Sequence, residues 1–164
     1  MKKQNGVIVL LLAIVLCFSA CGQNKADGMG LTQKFLETML SSSKTDVETF
    51  NDIMAKANES GESEEVEKYF FNRLSEYATE SCVKEMMADR SCAASIMLAE
   101  KNTCEIVVSN MDIKRTSEAE EVYVFTADLL KKEDNNIIAS AVGTVYLTDP
   151  NGKLIVEKAT ITVK

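Results

Sequence analysis

Residues 122–130 read Val-Tyr-Val-Phe-Thr-Ala-Asp-Leu-Leu, and the alternation in this stretch decides the fold. In an extended chain successive side chains point to opposite sides. Tyr123, Phe125, Ala127 and Leu129 therefore share one face, and Val122, Val124, Thr126 and Asp128 share the other. Aromatic and β-branched residues dominate, as a half-buried strand requires. The neighbouring stretches have the same grammar. Cys104 to Ile113 is rich in β-branched residues, and Ile137 to Leu147 places Ala139, Ala141, Gly143, Val145 and Leu147 on one face. Leu154 to Val163 supplies a fourth strand, and its apolar parity shifts between Val156 and Ala159, which predicts a bulge. Lys132 to Asn136 is a polar connection of hairpin length. In Asp149-Pro150-Asn151-Gly152, proline supplies a φ near −65° and glycine supplies a positive φ, so a turn is expected. Four strands at short spacing predict an antiparallel meander, and Gly143 inside a strand predicts a bend in a curved sheet.

Upstream of the strands the period changes to that of helices. Leu31, Phe35, Leu36, Met39 and Leu40 recur at helical spacing, and Ser41-Ser42-Ser43 ends the pattern. Thr45 followed by Glu48 is a capping-box signature, with Val47, Phe50, Met54 and Ala57 as the expected buried stripe. Glu59 to Glu62 reads as a turn. A third helix is expected from Glu64 to Ala78, with Val66, Phe70, Leu74 and Tyr77 on one face. Tyr69, Phe70 and Phe71 are consecutive and point about 100° apart, so this helix should be covered on more than one side. Glu62, Glu64, Glu65 and Glu67 gather at its start, where the positive end of the helix favours acids without any bound cation. Thr79 caps a short fourth helix through Val83, Met86 and Met87, and Asp89 to Asn102 reads as a short helix and a loop. Helices first and strands after gives an α+β domain, the helices packed on a curved four-stranded antiparallel sheet.

The first residues carry a different signal. Lys2 and Lys3 precede an apolar or small-residue run from Gly6 to Ala20, which Phe18-Ser19-Ala20-Cys21 closes. A basic start, a short apolar stretch and small residues at the cleavage point define a secretory signal. A membrane-spanning helix needs about 20 apolar residues, and polar residues follow this run at once. Ser19, Ala20 and Cys21 resemble the lipobox of bacterial lipoproteins, although Phe18 stands where leucine is usual. The resemblance implies cleavage between Ala20 and Cys21 and a lipid, such as palmitate, on Cys21. The membrane would then be a partner through that lipid. Residues 1–20 would be the signal, 21–30 a lipidated N-terminus with a flexible tether containing Gly22, Gly28 and Gly30, and 31–164 a single domain at the extracytoplasmic face of the cell membrane.

Composition excludes several activities. The chain contains no histidine, which removes His-ligated zinc and His-based triads. Cleavage removes Lys2 and Lys3 and no acid, taking the formal charge from −7 to −9. Nucleic acid needs a basic stripe, and the sequence has none. Cys82, Cys92 and Cys104 form no C-x-x-C pair and cannot all bond to one another; buried thiols and a single disulfide both fit their spacing. Neither a metal site nor a cofactor is expected.

The element order, with the Tyr/Phe-rich third helix (Tyr69-Phe70-Phe71 through Tyr77), resembles the nuclear-transport-factor-two-like superfamily. That cone-shaped, cystatin-like superfold includes ketosteroid isomerase. Small exported lipoproteins of Gram-positive bacteria share this layout of signal, lipobox, tether and one domain. The resemblance implies a pocket between helices and sheet, for which Tyr69, Tyr77, Tyr123 and Asp128 are the candidate lining residues. It also implies dimerisation through the sheet. No residue is assigned a catalytic role. Three functions follow: a non-catalytic domain binding a protein partner or a small apolar ligand; an isomerase- or dehydratase-like enzyme, which needs Asp112, Asp128 or Glu80 in a cavity beside a tyrosine; and a structural subunit of a cell-envelope assembly.

Overall fold

The computed structural model describes residues 27–61, 63–117 and 119–164. The signal, the cleavage site and Cys21 lie outside the described residues. Among the described residues, five α-helices precede a four-stranded antiparallel sheet of order β1-β2-β3-β4. The helices are α1 (Gly28–Leu40), α2 (Lys44–Ser60), α3 (Glu64–Leu74), α4 (Glu80–Ala88) and α5 (Ala94–Asn102), with a 3-10 turn at Ser91–Ala93 before α5. The strands are β1 (Ile106–Arg115), β2 (Val122–Lys131), β3 (Ile137–Thr148) and β4 (Ile155–Val163).

The strand alternation holds. Tyr123, Phe125, Ala127 and Leu129 of β2 are buried against the helices, as are Ala139, Ala141, Val145 and Leu147 of β3. Three irregularities bend the sheet. Asn110 and Met111 stand opposite Ala127 alone, with Asn110 at φ 47°. Ile138 is the extra residue between the Leu129–Ala139 and Leu130–Ile137 pairs. Glu157 is the extra residue of β4, where the parity shift predicted a bulge. Gly152 has φ 75° in the β3–β4 connection. Gly143 answers a close approach: a Cβ there would overlap the Thr160 carbonyl oxygen and lie 2.9 Å from the Phe125 ring.

The helices form two tiers. α1 crosses the sheet and packs on β1, β2 and β3; α4 packs on β4 and α5 on β1. Phe35, Leu36, Met39 and Leu40 of α1 are at most 2% exposed. The second tier is the α2–α3 pair. α2 rests mainly on α3 and α5, and none of its residues is fully buried. Its expected stripe of Val47, Phe50, Met54 and Ala57 is half-buried instead. α3 buries Phe70 and Leu74 and packs against α2, α4 and α1, so it is covered on more than one side as expected, while Phe71 stays 36% exposed. It ends at Leu74, and Ala78 forms a bridge with Val156 of β4.

Two helix starts differ from the reading above. Gly28–Gly30, placed in the tether, form the first turn of α1, because the Asp27 carboxylate accepts the Gly30 N–H at 3.0 Å and caps it. The capping box of α2 belongs to Ser43 and Asp46, not to Thr45 and Glu48. The Ser43 hydroxyl accepts from the Asp46 N–H at 3.1 Å, and the Asp46 carboxylate accepts the Ser43 N–H at 2.8 Å. Ser43→Ala is expected to lower unfolding free energy by about 1 kcal/mol and Thr45→Ala by much less, measured by urea denaturation.

Candidate functional site

The Ser41-Ser42-Ser43 link joins three layers of the molecule. Ser42 pairs with Ile106 at the start of β1 through both backbone groups, at 3.0 and 2.8 Å. Its side chain lies on the core side with Ile106, where its hydroxyl has no partner. An unpaired buried hydroxyl contributes only a desolvation penalty, so Ser42→Ala should leave the urea midpoint unchanged or raise it. Ser95 on α5 donates to the Met39 carbonyl at 2.8 Å and so ties α5 to the end of α1.

Arg73 of α3 closes the same region, with a side chain only 15% exposed. Its guanidinium donates to the Thr38 carbonyl at 2.9 Å, the Ser41 carbonyl at 2.7 Å, Asp46 Oδ1 at 2.8 Å and the Tyr69 hydroxyl at 3.1 Å. The carbonyls of Thr38 and Ser41 belong to the end of α1, where helix geometry leaves backbone acceptors without partners. One side chain therefore joins α1, α2 and α3. Burial alone would raise the Asp46 pKa, but the Ser43 hydroxyl and N–H, the Arg73 charge and the Tyr69 hydroxyl together hold it below the usual carboxylate value.

The four candidate lining residues do not converge. Tyr69 points between α2 and α3, its ring 5.1 Å from Phe70 and 6.1 Å from Phe50, and its hydroxyl belongs to the Arg73–Asp46 network. Tyr77 is half-buried beyond α3, where its carbonyl accepts the Val156 N–H at 2.8 Å. It lines a surface hollow of about 380 Å³ with Leu31 and Leu154. Tyr123 is buried beneath Gly28 and donates to the Glu121 carboxylate at 2.5 Å. Burial first, then the bond to Glu121 and its charge, push that hydroxyl up to about 12. Asp128 lies on the outer face of the sheet, accepting from the Asn110 amide at 2.8 Å. Asp112 is exposed beside Lys114, and Glu80 is exposed beside Lys84. The acid-and-tyrosine pairing of an isomerase is thus not formed by Asp112, Asp128 or Glu80.

The interior that a pocket would occupy is filled. Phe35, Leu36, Leu129, Val145 and Val156 are all 0% exposed in the layer between helices and sheet. Cys82 and Cys92 are buried free thiols, and burial, the leading cause, raises both to about 12. Cys104 is half-buried and free; burial, then the charges of Glu133 and other neighbours, push it up.

Sequence reasoning missed two features. The Ser41–Ser43 and Arg73 junction has no periodicity signal, and an arginine in an acidic helix reads as a solvated residue. The other is a surface hollow of about 470 Å³ where α2, α5 and the approach to β1 meet, with Val47, Ala99 and Cys104 among its lining residues. Among the described residues no group of three or more acids and cysteines could hold a metal ion. Neither a protein-family model nor a curated protein nor a solved structure matches this chain.

Proposed function

We propose that this chain is a lipid-anchored extracytoplasmic domain, tethered through Cys21, that recognises a protein partner through its surface and holds no small molecule inside. The observation that carries this reading is the filled layer between α1 and the sheet, with Phe35, Leu36, Leu129, Val145 and Val156 at 0% exposure. A ligand-binding cone requires an apolar cavity of several hundred Å³ in that layer. The anchor rests on Lys2, Lys3, the Gly6–Ala20 run and Ser19-Ala20-Cys21. The order of helices before a bent four-stranded meander supports the nuclear-transport-factor-two-like, cone-shaped class, in a form whose interior is packed shut.

One observation favours a structural subunit of an envelope assembly as the second reading. Val124 and Tyr146, on the outer sheet face of adjacent strands, are 38% and 39% exposed. Two experiments test these readings. Cys21→Ser should move the exported protein from the membrane to the soluble fraction, and retention would contradict the anchor. A photo-crosslinking residue replacing Tyr146 or Glu48 in the exporting cell should give discrete adducts with envelope proteins. Adducts from neither position would contradict recognition through the surface. Adducts of the chain with itself from Tyr146 would favour the structural reading.

A further inference from the structure

The hollow between α2 and α5 lies at the opposite end of β1 from the start of α1. β1 starts beside the hollow at Ile106, and its ten residues end at Arg115. Arg115 bonds Glu121, whose carboxylate lies with Tyr123 against Gly28 at the start of α1. Ten strand residues span roughly 30 Å, which separates the hollow from Gly28 by about that length. Val47, Ala99 and Cys104 give it apolar walls.

Its rim is acidic. Glu48, Glu100, Glu105 and Glu133 line it, with Lys44 the cation among the lining residues. Two of these carboxylates have lysine partners: Lys44 lies 3.9 Å from Glu48, and Lys132 bonds Glu105. The other two are held by neutral donors: Glu100 accepts from the Asn51 amide at 2.9 Å, and Glu133 accepts the Glu105 N–H at 3.1 Å. α5 also ends at the hollow, bringing the negative end of its dipole. The carboxylates are not gathered closely enough to hold a metal ion. They instead flank a cavity wide enough for one or two side chains.

We infer that this hollow is the docking site of a basic, apolar-flanked segment of a protein partner, an arginine or lysine between leucine-like residues. The apolar walls take the aliphatic stem and its neighbour, and Glu100 and Glu133 face the cationic head, as amphipathic side chains prefer. The inference rests on the surface-recognition reading and names the chemistry of the partner.

Cys104 serves as the reporter, because it lines the hollow while Cys82 and Cys92 are buried. The full-length exported protein is alkylated with N-ethylmaleimide, and the rate is read by mass spectrometry on the peptide carrying Cys104. An acetylated, amidated peptide of alternating arginine and leucine should slow alkylation about tenfold at ten times its dissociation constant, since only the free fraction reacts. The same peptide with glutamate for arginine should not slow it. The double variant Glu100→Gln, Glu133→Gln should fold with unchanged Tm and lose the protection. An unslowed reaction, equal protection by the acidic peptide, protection retained in the double variant, or equal protection by spermine alone would each overturn the inference. An unprotected Cys104 in a protein free of internal ligand removes this inference and leaves the surface-recognition reading standing, whereas an internal ligand removes that reading.

Discussion

Arg73→Met is expected to lower the unfolding free energy by about 3 kcal/mol, because the part-buried ion pair with Asp46 and the hydrogen bonds to two helix-end carbonyls are lost together. Methionine keeps much of the side chain's length and removes every donor. The Thr38 and Ser41 carbonyls, Asp46 and Tyr69 then lose their common partner. Arg73→Lys keeps the charge but not the planar fork, so it should recover only part of the loss. The pH dependence separates this network from simple packing. Asp46 has a lowered pKa in the folded protein, so its contribution is fully present above the unfolded value near 4 and is lost as pH falls through the folded value. Arg73 is one source of that lowering, so the variant should lose less stability between pH 5 and 3 than the wild type. Urea denaturation across this range measures both effects, and a variant as stable as the wild type would contradict the role given to Arg73.

Gly143→Ala should be comparably destabilising, by about 3 kcal/mol, which is large for one methyl group. The obstacle is a backbone atom. The new Cβ overlaps the Thr160 carbonyl oxygen of β4 and presses on Phe125 of β2, so three strands must shift. A rotamer change cannot relieve a clash with a neighbouring strand's main chain. The two replacements share no partner, Arg73 touching Thr38, Ser41, Asp46 and Tyr69 and Gly143 facing Thr160 and Phe125, so their effects on stability should add.

The sheet was legible in the sequence because period-two alternation, the Asp149–Gly152 turn and the parity shift near Val156 are local signals. The β3–β4 pairing and the Glu157 bulge follow them closely. Helix ends were less legible. Ser41 to Thr45 offers several hydroxyls that could cap α2, and the choice of Ser43 follows from the pairing of Ser42 with Ile106, a contact 64 residues away in the chain. The depth of the α2 stripe was misread for a related reason. Periodicity reports which side of a helix is apolar, not how deep the tier that it joins lies. Phe71 is 36% exposed, while Phe70 beside it is buried. The expected pocket failed because residue type carries no information on convergence. Tyr69, Tyr77, Tyr123 and Asp128 each suit a ligand cavity, yet they occupy separate sites on α3, beyond its end, on the inner sheet face and on the outer one.

The acidic hollow beside Cys104 was hidden for the same reason. Val47, Ala99 and Cys104 come from three segments, and Glu133 from a hairpin. A single charge pattern along the sequence cannot assemble them.

A non-denaturing mass spectrum of the full-length protein, exported by its host and extracted in mild detergent, shows whether the interior holds a ligand and whether Cys21 carries lipid. A chain beginning at Cys21, carrying lipid and no other bound molecule, is expected. A stoichiometric small molecule that survives extraction would contradict the filled interior and the surface-recognition reading with it.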